Sequence, residues 1–132
     1  MMMKTISSPK DLNVWKEAMN LAKQVYLETK NFPKEEVYGL TSQIRRAAVS
    51  VPSNIAEGNG RKHKKEYINF LSIANGSLME LETQLILSQN INYLSKENLE
   101  LLLKQIEIVS RLLNGLRKSL EKSCSMSQTT KF

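Results

Sequence analysis

A single cysteine, Cys124, excludes an internal disulfide and fits a reducing, cytoplasmic setting. The lone histidine, His63, leaves too few ligands for a zinc set. A di-iron bundle requires Glu-x-x-His pairs, and the residue three before His63 is Gly60. Five glycines and three prolines are too few for the turns of a many-stranded sheet, which points to long helices. No stretch reaches the roughly 20 apolar residues of a membrane helix. The opening MMMKTISSPK has the apolar run of neither a signal peptide nor an anchor. Neither a P-loop nor a dinucleotide fingerprint occurs, because GNGRK at 58–62 has the wrong spacing and no preceding strand. Ser50, Ser53 and Ser77 have no base placed to activate them, and nothing in sequence activates Cys124. The chain therefore reads as non-enzymatic, with no cofactor and no metal.

What is present is amphipathic helix. With 132 residues, 41% of them hydrophobic, the chain suffices for one domain around one core. Residues 1–10 read as a disordered lead-in, 11–122 as a four-helix domain and 123–132 as a disordered tail. The first helix, 11–29, opens on Asp11 as a candidate N-cap. It carries Leu12, Trp15, Met19, Ala22 and Tyr26 on one seam, with Val14, Ala18, Leu21 and Val25 beside it. Pro33 then breaks the chain, and Phe32 is placed to plug one end of the core.

The second helix centres on LTSQIRRAAVSVPSNIAEG, 40–58, with a seam of Leu40, Ile44, Ala47, Val51 and Ile55. Pro52 lies inside it and predicts a kink, while the small residues around it permit close approach of a neighbour. Gly58-Asn59-Gly60 is expected to end it, since glycine just past a helix end takes the left-handed conformation at no steric cost. The third helix, 63–88, shows a seam of Tyr67, Phe70, Leu71, Ala74, Leu78, Leu81, Leu85 and Ser88. Gly76 within it is a candidate point of close helix approach. Ser95 is the expected N-cap of the fourth helix. Its core face is Leu99, Leu102, Leu103, Ile106, Val109, Leu113, Leu116 and Leu120.

Four such helices with short connections predict an all-α, antiparallel up-down-up-down four-helix bundle. Ile68, Met79 and Ile86 form a second stripe on the third helix, and Leu101, Ile108 and Leu112 one on the fourth. Surplus apolar faces of this kind mark an interface, so a homo-oligomer is expected. The alternative is that they widen the core of a monomer.

The net charge of +6 is compatible with a polyanionic partner, RNA or DNA, or with a solvated lysine-rich surface. Candidate contacts are Arg45, Arg46, Arg61, Lys62, Lys64 and Lys65. The cluster at 61–65 opens a helix, where cations oppose the macrodipole, so helix stability does not account for it. Aromatic residues for base stacking are scarce, which leaves charge and shape as the basis of recognition. Glu57 shares a helix flank with Arg46, Ser50 and Ser53, either as a structural polar stripe joining two helices or two subunits or as a polar groove for a ligand or phosphate, and Arg46 is a candidate partner of Glu57. Gln43 and Asn54 fall close together at the edge of the core face and suit an amide hydrogen bond to another helix.

The stretch FPKEEVYGLTSQIRRAAVSVPSNIAEGNGR, 32–61, resembles the four-helix bundle family encoded within intervening sequences of bacterial 23S ribosomal RNA genes. FLSIANGSLMELETQL, 70–85, and DLNVWKEAMNLAKQVY, 11–26, fit the same pattern. Similar proteins include the accessory variability determinant of diversity-generating retroelements. The resemblance implies a bundle assembling as a homopentamer and binding nucleic acid, ribosomal RNA being the usual suggestion, and it carries no catalytic residues. Its motif positions, Gln43, Arg45, Arg46, Ser50, Pro52, Asn54, Glu57 and Gly58, are assigned first to fold and assembly. A protein partner, without nucleic acid, is the competing expectation.

Overall fold

The computed structural model of the chain describes residues 9–129. It contains four helices, α1 (Pro9–Thr29), α2 (Leu40–Asn59), α3 (Lys64–Asn90) and α4 (Lys96–Thr129), and a single 3-10 turn at Lys34–Glu36. No strand occurs among the described residues. α1 packs on α2 and α4, and α3 packs on the same two, so the helices form a ring in chain order.

The start of α1 and the end of α4 lie outward of those expected. Of the lead-in, residues 1–8 lie outside the described residues, while Pro9 and Lys10 already belong to α1. Proline suits a first helical turn because its missing N–H has no partner there. Asp11 is thus inside the first turn rather than an N-cap. Of the tail, residues 130–132 lie outside the description, and 123–129 continue α4. Nothing in SCSMSQT, which has neither glycine nor proline, stops a helix.

The seams expected for α2, α3 and α4 face the core: Ile44, Val51, Ile55, Leu71, Leu78, Leu81, Leu85 and Leu113 are completely buried. Phe70, Leu103 and Leu120 sit half-buried at its margin. α1 is rotated from its expected face. Ala18, Leu21 and Val25 lie deepest, whereas Met19 and Tyr26 are about two-fifths exposed. Both groups lie on the wide apolar arc of α1, and contact with α2 and α4 on two sides selects its middle.

The close helix approach falls to Gly58 rather than to Gly76. A Cβ on Gly58 would lie 2.8 Å from Phe70 Cβ and from Tyr67 Cδ1, and 3.2 Å from the Tyr67 carbonyl oxygen. Gly58 therefore permits the close approach of α2 to α3, and its φ is not positive. Gly76, expected to do this, has open space around its α-carbon.

The connections are held by side chains. Phe32 is buried against Tyr93, ring centroids 5.5 Å apart, so the first and third connections meet. The Tyr93 hydroxyl donates to Glu36 Oε2 at 2.9 Å, and Glu36 Oε1 accepts the Leu40 N–H at the start of α2 at 3.1 Å. The Glu36 carboxylate, followed by burial, raises Tyr93 above the usual tyrosine range. Asn92 turns the chain with φ 67°, which asparagine tolerates better than most residues. Ser95 Oγ accepts the Asn98 N–H at 3.1 Å, the expected cap of α4.

Candidate nucleic-acid interface

The six candidate cations do not form one patch. Arg45 and Arg46 lie in the second turn of α2, and the 61–65 cluster follows its far end. At 1.5 Å per residue, about 21 Å of helix axis separates Arg45 from the end of α2 at Asn59.

Arg45 is committed within the chain. Its Nε donates to Thr29 Oγ1 at 2.9 Å, Nη2 donates to the Tyr26 carbonyl at 3.4 Å, and the guanidinium lies 4.6 Å above the Tyr26 ring. Thr29 Oγ1 in turn donates to the Val25 carbonyl at 2.8 Å. A cation is favoured at this negative end of the α1 dipole, and this one fastens α1 to α2. Arg46 beside it is exposed.

The expected partner of Arg46 is taken by another residue. Glu57 Oε2 accepts from Arg61 Nη2 at 3.2 Å. Arg46 and Glu57 share a flank, but eleven residues put them about 16 Å apart along the axis. The Arg61 guanidinium also lies 4.9 Å over the Phe70 ring. Both members of the pair are largely exposed, so their attraction is worth about 0–1 kcal/mol and leaves Arg61 available to a phosphate.

Lys62, Lys64 and Lys65 are exposed at the turn from α2 into α3. Lys64 Nζ donates to Ser123 Oγ, which brings the last part of α4 to the same end. Lys122 adjoins Ser123 in sequence, Lys118 lies one turn earlier, and both are exposed. Only the contact between α3 and α4 adds them to the cluster, and no local pattern signals it.

One acid at this end is turned inward. Asp11 is buried, and its Oδ2 accepts from Asn59 Nδ2 at 2.7 Å and from the Tyr67 hydroxyl at 2.9 Å. Three helices are thereby joined through one carboxylate. Burial is the main cause holding the Tyr67 hydroxyl well above the usual tyrosine range; the Asn59 hydrogen bond opposes it and the Asp11 carboxylate adds to it.

A family model described as 23S rRNA-intervening sequence protein matches residues 10–115. The chain belongs to that family. A crystal structure of a protein with unknown function from the S23 ribosomal protein family of Bacteroides thetaiotaomicron has a similar fold. It is 25% identical, with a TM-score of 0.75 over 83% of this chain and 98% of that one. No curated protein matches. The family match includes Arg61 to Lys65 and ends before Lys118 and Lys122.

Within the family motif, Asn54 bonds within its own helix rather than to another helix. Its Nδ2 donates to Ser50 O at 2.8 Å and to Ser50 Oγ at 2.9 Å, because the two residues are one turn apart. The polar link between helices is instead Ser50 Oγ to Ser77 Oγ, 2.8 Å.

The candidate assembly residues divide by exposure. Leu101 is 62% exposed, and Met79, Ile86 and Ile108 are also exposed. Ile68 is half-buried, and Leu112 packs against the core. Met79 and Ile86 line a groove of about 620 Å³ between α3 and α4, with Leu103, Ile106, Glu107 and Arg111. Between α1 and α2, Trp15, Met19, Tyr26, Val49 and Pro52 line another of about 590 Å³. No helix among the described residues is long and apolar enough to cross a membrane.

Proposed function

We propose that this chain is a non-enzymatic cytoplasmic scaffold that assembles with copies of itself and binds structured nucleic acid through its cationic end. The observation that carries the reading is the gathering of Arg61, Lys62, Lys64 and Lys65 with Lys118 and Lys122, while Asp11 points inward. Membership of the 23S rRNA-intervening sequence family makes ribosomal RNA the first ligand to test. The helices run up-down-up-down, a reading supported by two sets of contacts. One joins the start of α1 to the end of α2 and the start of α3, and the other joins the end of α1 to the starts of α2 and α4. Exposed Met79, Ile86, Leu101 and Ile108 support self-assembly, and family resemblance makes five the expected number.

Phosphate contacts of this kind release counterions. Four per subunit predict affinity for a structured RNA falling about a hundredfold between about 50 and 200 mM salt. Replacing Arg61, Lys62, Lys64 and Lys65 together with alanine should flatten that slope for every sequence tested. An unchanged slope in a folded variant overturns the reading. Light-scattering mass tests assembly separately, and a monomer removes that part.

A protein partner is the second reading, favoured by Tyr38, which is 96% exposed beside half-exposed Val37. Capture of a defined protein that survives nuclease treatment, with no salt-sensitive RNA binding, would support it.

A further inference from the structure

At the other end of the bundle, the turn from α1 into α2 borders an open cleft of about 440 Å³. Lys30, Lys34 and Arg45 line it, with Thr29 and Thr41 and an apolar wall of Phe32, Pro33 and Val37. No carboxylate lines it. Neither lysine takes part in an ion pair among the described residues. The cleft borders the N-terminus of α2, a helix of 20 residues whose N-cap, Gly39, supplies no side-chain cap. Glu36 takes the Leu40 N–H, and the amides of Thr41 and Ser42 follow on the same orphan turn. Thr41 is 5% exposed, and its hydroxyl has no hydrogen-bond partner. The reason is positional: a helical threonine bonds to a carbonyl one turn back, and here that residue, Val37, precedes the helix.

We infer that this cleft binds a small phosphate ester. The phosphate sits between Lys30, Lys34 and the first turn of α2, where cations and the dipole both favour an anion. Thr41 turns about χ1 to donate its unused hydroxyl to a phosphate oxygen. The ester group lies on Phe32, Pro33 and Val37. The site is separate from the cationic end and does not depend on nucleic-acid binding there.

Phenyl phosphate titrated into the full chain at low salt, followed by amide NMR, tests this. Saturable shifts at Thr41 and Ser42 are expected, with inorganic phosphate several-fold weaker. Replacing Lys30 and Lys34 with alanine should weaken binding about tenfold. Thr41→Val should weaken it roughly fivefold while leaving the thermal midpoint unchanged or higher, since the valine buries no unpaired hydroxyl. A purely structural threonine predicts no loss of affinity. The inference is overturned by shifts confined to residues 61–65, by no saturation at Thr41, or by inorganic phosphate binding as tightly as the ester.

Discussion

The two ends of the bundle use the same residue types for opposite purposes. Where α1 and α2 meet, charges hold the chain to itself: Arg45 grips the last turn of α1, and Glu36 caps α2 while binding Tyr93. Where α2 turns into α3, one acid, Asp11, is buried, and Arg61, Lys62, Lys64 and Lys65 face solvent. Carboxylates at the first end, among them Glu28, Glu35, Glu36, Glu97 and Glu100, offset its cations. The second has Glu57, Glu66 and Glu121 against a larger set of lysines and arginines. Charge that closes a fold is short-range and committed, whereas charge that meets a polyanion has to be left outside. The net charge of the chain says nothing of this division, which is visible only once the ends are assembled.

The sharpest break comes at Gly58. Gly58→Ala forces a Cβ against Phe70, Tyr67 and a backbone carbonyl, so α3 must move away from α2. Overpacking of this kind predicts a loss of about 3 kcal/mol, roughly 10 °C in thermal midpoint. Gly76→Ala, with open space around it, should instead gain up to about 1 kcal/mol through helix propensity. Thermal unfolding of the pair by circular dichroism checks both signs, and equal effects would remove the assigned contact.

Next in size is the buried acid. Asp11→Ala leaves the Tyr67 hydroxyl and the Asn59 amide without their shared acceptor, a loss of about 2 kcal/mol in urea unfolding. The cationic end should loosen with it, because Asn59 and Tyr67 flank the 61–65 turn. Hydrogen exchange at the start of α3 should therefore rise more than at the start of α2. Uniform change along the chain would mean that Asp11 supports the whole bundle rather than this end.

How much of this was legible before the structure depends on distance along the chain. The seam of α3 from Tyr67 to Ser88 and the Ser95 cap are local facts of helical spacing, and the sequence reading places them correctly. The register of α1 is not local, because its apolar arc exceeds the stripe that any one neighbour buries; contacts on two sides decide it. The roles of Gly58 and Gly76 depend on which backbone lies opposite, which periodicity does not encode. The pairing of Arg46 with Glu57 fails for a simpler reason: eleven residues on a shared flank are separated by about 16 Å of rise along the axis. The recruitment of Lys118 and Lys122 requires α3 and α4 to be docked, and the unpaired hydroxyl of Thr41 requires the actual start of α2.

Arg45 gives the smallest expected effect and the cleanest separation of the ends. Arg45→Ala loses a hydrogen bond to Thr29, a longer one to Tyr26 and a stacked ring, in a half-exposed setting. About 1 kcal/mol of stability should follow. If its work is confined to joining α1 and α2, the salt slope of RNA binding should match that of the unaltered chain within error. A slope lowered by roughly one ion per site would instead place Arg45 against a phosphate. The bound nucleic acid would then span the length of α2, and the two ends would form one surface.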